Sequence, residues 1–552
     1  MLLLSVALLP TEVMATQNEN SVPVAEKIVV PSITRTWNPL SLIYEDQFHD
    51  PAQLDEEIEN IHSLVSELVD VEVIGESFEG RNITCLRITN ELNTVQKAKA
   101  LVVAQHHGRE QITVELALRF MLWLLNGYGI DTTITEYVDT QEIYVIPTLN
   151  PDALEIVVND GNHWLRKNLR PYDNDGDGLF GEDDAEDVDA DGFISEFYVY
   201  LKSSPSEVPN INDIDYAYYE GIDNDADGLF NEDEVGLVDI NRNYPVFWTS
   251  GNTDVTTQEY RGSAPFSEPE TQAFRDFAQQ HKFAMAYSLH SGTNATYFVQ
   301  DMSFNWVEPI LYYQIASDYR DFLPSGFNQG IGYPADSYRQ IESATAGGWG
   351  EWMYYEQGCT APITFEVYTN ATVHEDDAMP IILNNDTHII REWDGIYGYF
   401  NPTTEYIQSL WLELVPAFEY FLEMTPRADI EITSISGGVS SGDTVTLATS
   451  MHGLSPRLGS KESMKVLDNN SEILDTMTVL RADQTLLDYP SFILSDDLEG
   501  SGYTVLIGNN YTGYTRFLLS AGNPLGLELV LIGIGVGVVL IAVVVFVYMK
   551  KR

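Results

Sequence analysis

Residues 100–110 read ALVVAQHHGRE, an apolar run that ends abruptly in histidine, arginine and glutamate. A short apolar run with polar residues at its end is consistent with a buried β-strand. Three further runs end in the same way, at residues 142–147, 284–289 and 361–365. The polar residues that follow the four runs include His107, Asn150, His290 and Glu366. Ligands of open α/β sheets bind beyond the carboxyl ends of the strands, so these residues are predicted to share one site.

Local composition and hydrophobic pattern divide the chain into several regions. Predicted strands and helices alternate over residues 41–424, the pattern of an α/β domain. The polar, proline-containing segment 16–40 is predicted to be a linker. Over residues 428–520, short apolar stretches separated by Gly, Ser, Asn and Asp predict a small all-β sandwich domain. A chain of 552 residues is expected to hold more than one domain.

The two ends of the chain predict a location at the cell membrane. Residues 1–15 hold an apolar run and end in small residues, which suggests a signal peptide, although no Lys or Arg precedes the run. Residues 529–549 are apolar throughout and could cross roughly 30 Å of hydrocarbon as a transmembrane helix. The basic tail 550–552 would stay in the cytoplasm by the positive-inside rule. The sequence therefore predicts a single-pass membrane protein with its large domain outside the cell.

Charge and cysteine content exclude two classes of protein. The chain carries 84 Asp and Glu against 28 Lys and Arg, a formal net charge of −56. This charge repels nucleic acid, so no nucleic-acid partner is expected. The two cysteines, Cys85 and Cys359, exclude a disulfide framework, and the sequence does not decide whether they pair.

Three residues at the predicted strand ends form a candidate zinc site. His107 and Glu110 can reach one ion if the loop that carries them turns into a helix, and His290 can supply a third ligand. Two imidazole nitrogens and one carboxylate leave a fourth position for water, which is typical of one catalytic zinc ion. His106 is the alternative to His107. Because this spacing is common by chance, the prediction also depends on the surrounding motifs.

Five segments in order give the sequence a specific resemblance. They are HGRE at residues 107–110, WLRKN at 164–168, DINRNY at 239–244, SLHS at 288–291 and TFE at 364–366. Over roughly residues 41–424 the chain resembles the zinc metallocarboxypeptidases, the family of pancreatic and bacterial secreted carboxypeptidases. The resemblance implies a mixed-sheet α/β catalytic domain. It also implies hydrolysis of the C-terminal peptide bond of peptides or proteins that have a free C-terminus.

The resemblance implies a role for each matched residue. Zinc on the three predicted ligands would activate a water molecule, and Glu366 would act as general base. Arg166 would stabilise the developing oxyanion. Asn241 and Arg242 would hold the terminal carboxylate of the substrate, because a planar guanidinium suits this group. Arg109 would contact the adjacent subsite, or would form a surface ion pair instead.

The sequence departs from the family at two positions of the substrate pocket. The family has a mobile tyrosine four residues before a Gly-Gly pair, and counting back from residues 347–348 gives Ser343. Tyr338 could replace it. At the usual specificity position stands Gly350, which has no charge, and the neighbouring Glu351 could contact a basic side chain. The preferred terminal residue therefore stays open.

An acidic insertion over residues 172–236 contains the pattern DxDxDG three times, starting at residues 173, 187 and 223, with Gly at the fourth position of the first copy and Ala in the other two. Oxygens at positions 1, 3 and 5 followed by glycine suit a calcium loop, and the first and last copies also have an acidic residue at position 12. The predicted calcium ligands are Asp173, Asp175, Asp177, Asp184, Asp187, Asp189, Asp191, Asp223, Asp225, Asp227 and Glu234. The alternative is a solvated acidic loop.

Two other functions are compatible with these motifs. A zinc hydrolase of the same fold could act on other amide or acyl groups, as a deacylase does, but Arg242 favours a substrate with a free carboxylate. A catalytically idle cell-surface protein could bind peptide C-termini, but it would need neither Glu366 nor Arg166. The sequence therefore favours the carboxypeptidase.

Overall fold

The computed structural model describes residues 32–425 except 95, 174–177, 179, 181–183, 189, 191, 208–213, 223, 225–230, 232–234, 304, 306, 308, 324–344, 360, 371–380 and 394, and the backbone of eight strands between residues 431 and 533. The predicted signal peptide, both Tyr338 and Ser343, and the predicted tail 550–552 lie outside the described residues. So do eight of the predicted calcium ligands, namely Asp175, Asp177, Asp189, Asp191, Asp223, Asp225, Asp227 and Glu234.

A seven-stranded mixed sheet lies at the centre of the large domain. Its strands are β1 (Val69–Glu76), β2 (Asn82–Ile88), β3 (Ala98–Ala104), β4 (Gln141–Ile146), β7 (Phe283–His290), β8 (Thr293–Phe298) and β9 (Ala361–Tyr368). Their order is β1-β2-β4-β3-β7-β9-β8. The four central strands β4, β3, β7 and β9 are parallel, and the remaining pairs are antiparallel. The four parallel strands are the four predicted apolar runs, so the mixed-sheet α/β prediction is confirmed.

Helices pack on both faces of this sheet. They are α1 (Pro51–Val65), α2 (Ile112–Gly127), α3 (Thr132–Thr140), α4 (Pro151–Asn159), α5 (Pro269–Ala278), α6 (Pro309–Phe322), α7 (Trp349–Tyr355), α8 (Gly395–Phe400) and α9 (Thr404–Met424). Successive side chains of a strand point to opposite faces. Accordingly Ala100 and Val102 of β3 belong to the core with α2 and α9, whereas Leu101 and Val103 belong to a second core with α5 and α7. The domain therefore has three layers.

The end of the predicted linker is part of this domain. The indole Nε1 of Trp37 donates a hydrogen bond to Leu125 O at 3.1 Å, and Arg35 Nη1 donates to Leu125 O and Tyr128 O, each at 3.3 Å. These carbonyls lie at the end of α2, where backbone acceptors have no partner within the helix. The prediction that the whole of 16–40 is a linker is therefore wrong for residues 32–40, because their side chains complete the end of this helix.

A second, four-stranded sheet joins the acidic insertion to a later part of the chain. It consists of β5 (Glu196–Leu201), β6 (Tyr216–Tyr219), β10 (Ile381–Asn384) and β11 (His388–Trp393) in the order β10-β11-β5-β6. The indole of Trp164 lies between its residues: its ring centroid is 4.9 Å from that of Tyr219 and 5.4 Å from that of Trp393. The described part of the insertion thus packs against the segment that carries Arg166.

Beyond residue 430 the structure describes strand backbones. They are β12 (Glu431–Gly437), β13 (Thr444–Ser450), β14 (Met464–Leu467), β15 (Ile473–Met477), β16 (Ser491–Ile493), β17 (Gly502–Asn509), β18 (Gly513–Ser520) and β19 (Ile532–Gly533). They form a three-stranded sheet, β12-β13-β16, and a five-stranded sheet, β15-β14-β17-β18-β19. The β-sandwich domain over 428–520 stays a prediction, because the packing side chains lie outside the described residues.

The predicted transmembrane helix 529–549 also stays a prediction. Of this segment only Ile532 and Gly533 are described, and they form a strand paired with β18 rather than a helix. Among the helices that the structure describes, none combines the length and the apolar character needed to cross a membrane.

Candidate active site

The register of the parallel strands brings three distant segments together. His290 is the last residue of β7, and its partner in the register is Glu366 on β9. On the other side of β7, Val103 of β3 is the partner of Ser288. The chain leaves β3 through Gln105, which has a positive φ of 50°, and reaches His107 two residues later. The ends of these strands thus bring His107, His290 and Glu366 together, and all three line one cavity.

Backbone hydrogen bonds join the loop after β3 to the segment that carries Arg166. The backbone N–H of Gly108 donates to Arg166 O at 3.2 Å, and that of Arg109 donates to Leu165 O at 2.8 Å. A Cβ at position 108 would lie 2.8 Å from both Leu165 O and Ala153 Cβ, so only glycine fits here. This close approach fixes Arg166 beside the loop that carries His107 and Glu110.

The three predicted zinc ligands form one buried cluster. The carboxylate of Glu110 lies between the two imidazoles, with Oε1 2.7 Å from Nδ1 of His107 and Oε2 2.8 Å from Nδ1 of His290. All three side chains are buried, and one donor atom from each lies within 4.8 Å of the other two. Burial works to raise the pKa of Glu110, but the two histidines hold it below its usual range. Among the described residues, this is the one group of histidine, cysteine and acidic side chains arranged to hold a metal ion.

Both imidazoles of the cluster have a polar side chain near their second ring nitrogen. Nε2 of His290 lies 2.9 Å from Oγ of Ser288, and Nε2 of His107 lies 3.3 Å from Oδ1 of the buried Asp239 without a hydrogen bond to it. Metal-binding histidines usually have a polar partner on the ring nitrogen that faces away from the metal. Two nitrogens and one carboxylate fit a zinc ion that keeps an open position. The donor set of this structure therefore fits zinc.

His106, the alternative ligand, lies behind the cluster and not in it. Its Nδ1 is 3.0 Å from Oγ of Ser288, and its Nε2 is 3.5 Å from the hydroxyl of Tyr244. The side chain is fully buried, and burial keeps its pKa well below the usual value for histidine. His106 is thus placed to support Ser288 as a neutral side chain.

Glu366 has the surroundings of a carboxyl group that can exchange a proton. Its Oε2 is buried and has no hydrogen-bond partner among the described residues. Burial raises its pKa well above the usual range, and the nearby charge of Glu110 adds to this effect. A general base needs a pKa close to the working pH, so this upward shift suits proton transfer.

An ion pair with Asp239 positions the guanidinium of Arg166. Its Nε and Nη2 lie 3.0 and 2.9 Å from Oδ2 of Asp239. Burial alone would raise the pKa of Asp239, but Arg166, Arg242 and His107 hold it well below its usual range. Asp239 therefore stays ionised, and its two oxygens connect the positions of Arg166 and His107.

A cavity of about 610 Å³ connects the predicted catalytic and substrate-binding residues. Its lining includes His107, Arg166, Asn241, Arg242, His290 and Glu366. Asn241 and Arg242 lie in the short helical turn Ile240–Arg242, where the side chain of Asp239 accepts a hydrogen bond from the backbone N–H of Asn241 at 2.8 Å. Trp349 N–H donates to Asn241 Oδ1 at 3.0 Å and orients its amide. The cavity therefore has a metal end and, at Arg242, a cationic end.

Gly350, at the predicted specificity position, and the neighbouring Glu351 also line this cavity. A Cβ at Gly350 would have one neighbour within 4 Å, Val299 Cγ2 at 3.7 Å, so the position leaves open space. Glu351 is buried, and burial raises its pKa to about 7. Its Oε1 accepts a hydrogen bond from the backbone N–H of Thr345 at 3.2 Å. A contact between Glu351 and a basic substrate side chain stays a prediction.

Arg109 does not line the cavity. Its guanidinium lies over the ring of Phe400, 4.4 Å from the centroid, and its Nη1 donates to Trp164 O at 3.4 Å. Burial lowers the pKa of this guanidinium to about 10, and the neighbouring Arg166 contributes to the shift. Both the predicted substrate contact and the surface ion pair thus differ from the observed position, in which Arg109 packs between α8 and the Arg166 segment.

Two of the three predicted calcium loops contain one of the backbone turns that such a loop needs. In the first, Gly178 N–H donates to Asp173 Oδ2 at 3.2 Å, and in the second Gly192 N–H donates to Asp187 Oδ2 at 2.9 Å. Both glycines have positive φ, 94° and 95°, which favours glycine at this position. Asp184 is also described, but the other eight predicted ligands are not, so the calcium sites stay a prediction.

Sequence reasoning missed three residues of the site: Asp239, Ser288 and Glu259. Asp239 begins the matched segment 239–244 but received no role. Ser288 could have been found, because residues two apart on a strand share a face and it is two residues before His290. Glu259 lines the cavity and accepts a hydrogen bond from Arg242, a contact for which the sequence holds no local signal.

Comparison with known proteins agrees with this geometry. A family model described as zinc carboxypeptidase matches residues 54–417. A zinc carboxypeptidase from Saccharothrix mutabilis subsp. capreolus is 35% identical over 107 residues, 19% of this chain and 24% of its own length. Carboxypeptidase M from Mus musculus is 27% identical over 139 residues, 24% of this chain and 31% of its own.

One relative carries a different description. The inactive metallocarboxypeptidase ECM14 of Saccharomyces cerevisiae is 36% identical over 107 residues, 19% of this chain and 25% of its own length. The chain thus spans less than a third of the length of each of these three relatives. Among solved structures, the thrombin activatable fibrinolysis inhibitor is 18% identical with a TM-score of 0.46, and covers 69% of this chain and 75% of its own.

Proposed function

The chain belongs to the zinc carboxypeptidase family, and we propose that it is an active carboxypeptidase that removes the C-terminal residue from peptides with a free carboxylate. One observation carries the proposal: both histidines of the zinc-type cluster, Glu366 and Arg242 line a single cavity. A metal site alone would serve many hydrolases, whereas a cationic group in the same cavity suits a terminal carboxylate.

The residues at the cavity have separate roles in hydrolysis. A zinc ion held by His107, Glu110 and His290 would supply Lewis-acid activation of a water molecule. Glu366 takes a proton from the attacking water and delivers it to the nitrogen of the leaving amino acid. Arg166, held by Asp239, faces the negative charge that develops on the carbonyl oxygen and lowers the barrier rather than tightening substrate binding.

The experiment uses the purified full chain, a peptide with a free C-terminus and the same peptide amidated at its C-terminus. Mass spectrometry follows the products with zinc and with a zinc chelator. With zinc, we expect the free-acid peptide to lose single C-terminal residues. The amidated peptide with zinc, and both peptides with the chelator, should stay largely intact. Equal cleavage of both peptides would favour the deacylase, and binding without cleavage would favour the idle peptide-binding protein.

We also propose that the acidic insertion binds Ca²⁺. The matching turns at Gly178 and Gly192 support this, because a calcium loop needs its first aspartate and its glycine in this relation. The insertion packs around Trp164, two residues before Arg166, so calcium would stabilise the wall beside the cavity. Its residues do not line the cavity itself among the parts that the structure describes.

The location remains a proposal from the sequence: a chain anchored by residues 529–549 with its catalytic domain outside the cell. A protease added to intact cells that express the chain tests it. We expect the large domain to be digested or released while the cells stay intact, and protection of the domain would contradict the proposed orientation.

A further inference from the structure

The cationic end of the cavity already holds a carboxylate from the chain itself. Nη2 of Arg242 donates to Oε1 of Glu259 at 3.1 Å. Nη1 of the same guanidinium donates to Asn241 O at 3.1 Å. Each terminal nitrogen of Arg242 therefore already donates one of its two N–H groups. A carboxylate that accepts two parallel N–H hydrogen bonds from an arginine needs two neighbouring nitrogens of the guanidinium.

The backbone that follows Glu259 is held by hydrogen bonds, whereas the side chain of Glu259 is not enclosed. Asp239 N–H donates to Tyr260 O at 3.0 Å, and Asn243 Nδ2 donates to Arg261 O at 2.9 Å. The guanidinium of Arg261 also lies over the ring of Trp248, 3.8 Å from its centroid. The side chain of Glu259 is 57% exposed, against 19% for that of Arg242. Glu259 can thus leave Arg242 by side-chain rotation without movement of the loop.

We propose that Glu259 is an internal competitor for the terminal carboxylate of the substrate. This inference rests on the proposed function, because it assigns Arg242 to that carboxylate. Two carboxylates at one guanidinium repel each other, so the side chain of Glu259 has to give way before the substrate takes both bonds. Glu259 therefore weakens the binding of every free-acid substrate and has no such effect on an amidated one.

The same contact predicts which kinetic constant Glu259 sets. Glu259 leaves Arg242 when the substrate binds, and it does not contact the metal ligands or Glu366. Its removal is expected to lower KM and leave kcat unchanged. An exposed ion pair has a modest strength, so the expected gain in affinity is about three- to tenfold. A purely structural residue would instead reduce stability and activity together.

The test measures binding directly, in zinc-loaded full-length protein that carries Glu366→Gln to prevent turnover. Calorimetry gives the dissociation constants of a free-acid peptide and its amidated twin. The variants are Glu259→Gln, which removes the charge at nearly constant shape, and Asp254→Asn as matched control. Asp254 is an exposed acid on the same loop, it bonds Thr256 and not Arg242, and asparagine can keep these acceptor bonds.

We expect Glu259→Gln to bind the free acid about three- to tenfold more tightly, with no change for the amide and none in Asp254→Asn. An unchanged dissociation constant for the free acid in Glu259→Gln would overturn the inference. Equal tightening in Asp254→Asn would overturn it too, because the effect would then come from the general charge of the loop. If the parent protein shows no preference for the free acid over the amide, the role of Arg242 in the proposed function fails first.

Discussion

The cavity and the acidic insertion both depend on carboxylates, but they hold them differently. Beside the cavity, Glu110 and Asp239 are buried, and each lies against cationic or imidazole partners. In the insertion, the described Asp173 and Asp187 are only partly buried and accept hydrogen bonds from glycines of their own loops. The cavity is therefore arranged by protein contacts before any ion binds. The loops of the insertion would need the ion itself to fix their oxygens.

Among the variants that test this comparison, Glu366→Gln should have the largest effect on turnover. The variant removes the proton acceptor of the cavity but leaves the three metal-binding side chains in place. We expect turnover to fall by about 10³–10⁴-fold while zinc content stays at the wild-type level. Steady-state kinetics and metal analysis of the same sample check this. Substantial activity in the variant would mean that another group takes the proton.

The next effect concerns the cationic end of the cavity. Arg242→Ala leaves the terminal carboxylate of the substrate partly buried without its partner, so kcat/KM for a free-acid peptide should fall by about 10²–10³-fold. The slow hydrolysis of an amidated peptide should change little, since this substrate does not use the contact. Equal losses on the two peptides would make Arg242 a structural residue.

Ser288→Ala tests whether the cavity is arranged before zinc binds. Ser288 Oγ orients His290, and loss of such a partner typically weakens metal binding by about 10–100-fold. Zinc competition with a chelating dye measures this affinity without need of activity. Ser291→Ala is the matched control, because Ser291 Oγ is buried next to His290 without a partner among the described residues. Equal zinc affinity in the two variants would contradict the orienting role.

The smallest effect on activity is expected from calcium. The described residues of the insertion pack against the Trp164 segment and do not line the cavity, so calcium-free buffer that still contains zinc should change kcat/KM slightly. Limited proteolysis should nevertheless become faster within residues 172–236 as the loops lose their ion. An identical digestion pattern with and without calcium would reduce the repeats to a solvated acidic surface.

The sequence predicted the site residues whose position depends on a local sequence pattern. Each of the four parallel strands is an apolar run that ends in polar residues, so the meeting of His107, His290 and Glu366 followed from the rule about strand ends. The contacts that it did not predict join segments far apart in the chain. Examples are Arg242 with Glu259, β5 with β11, and Arg35 with the end of α2. Pairing of this kind depends on tertiary packing and has no local pattern.

The position of zinc tests the central claim most directly. Anomalous diffraction at the zinc absorption edge, from crystals grown with zinc and calcium, locates the ion independently of any assay. We predict one strong peak among His107, Glu110 and His290, which is lost in His290→Ala. A zinc peak in the acidic insertion with none at these three residues would contradict it.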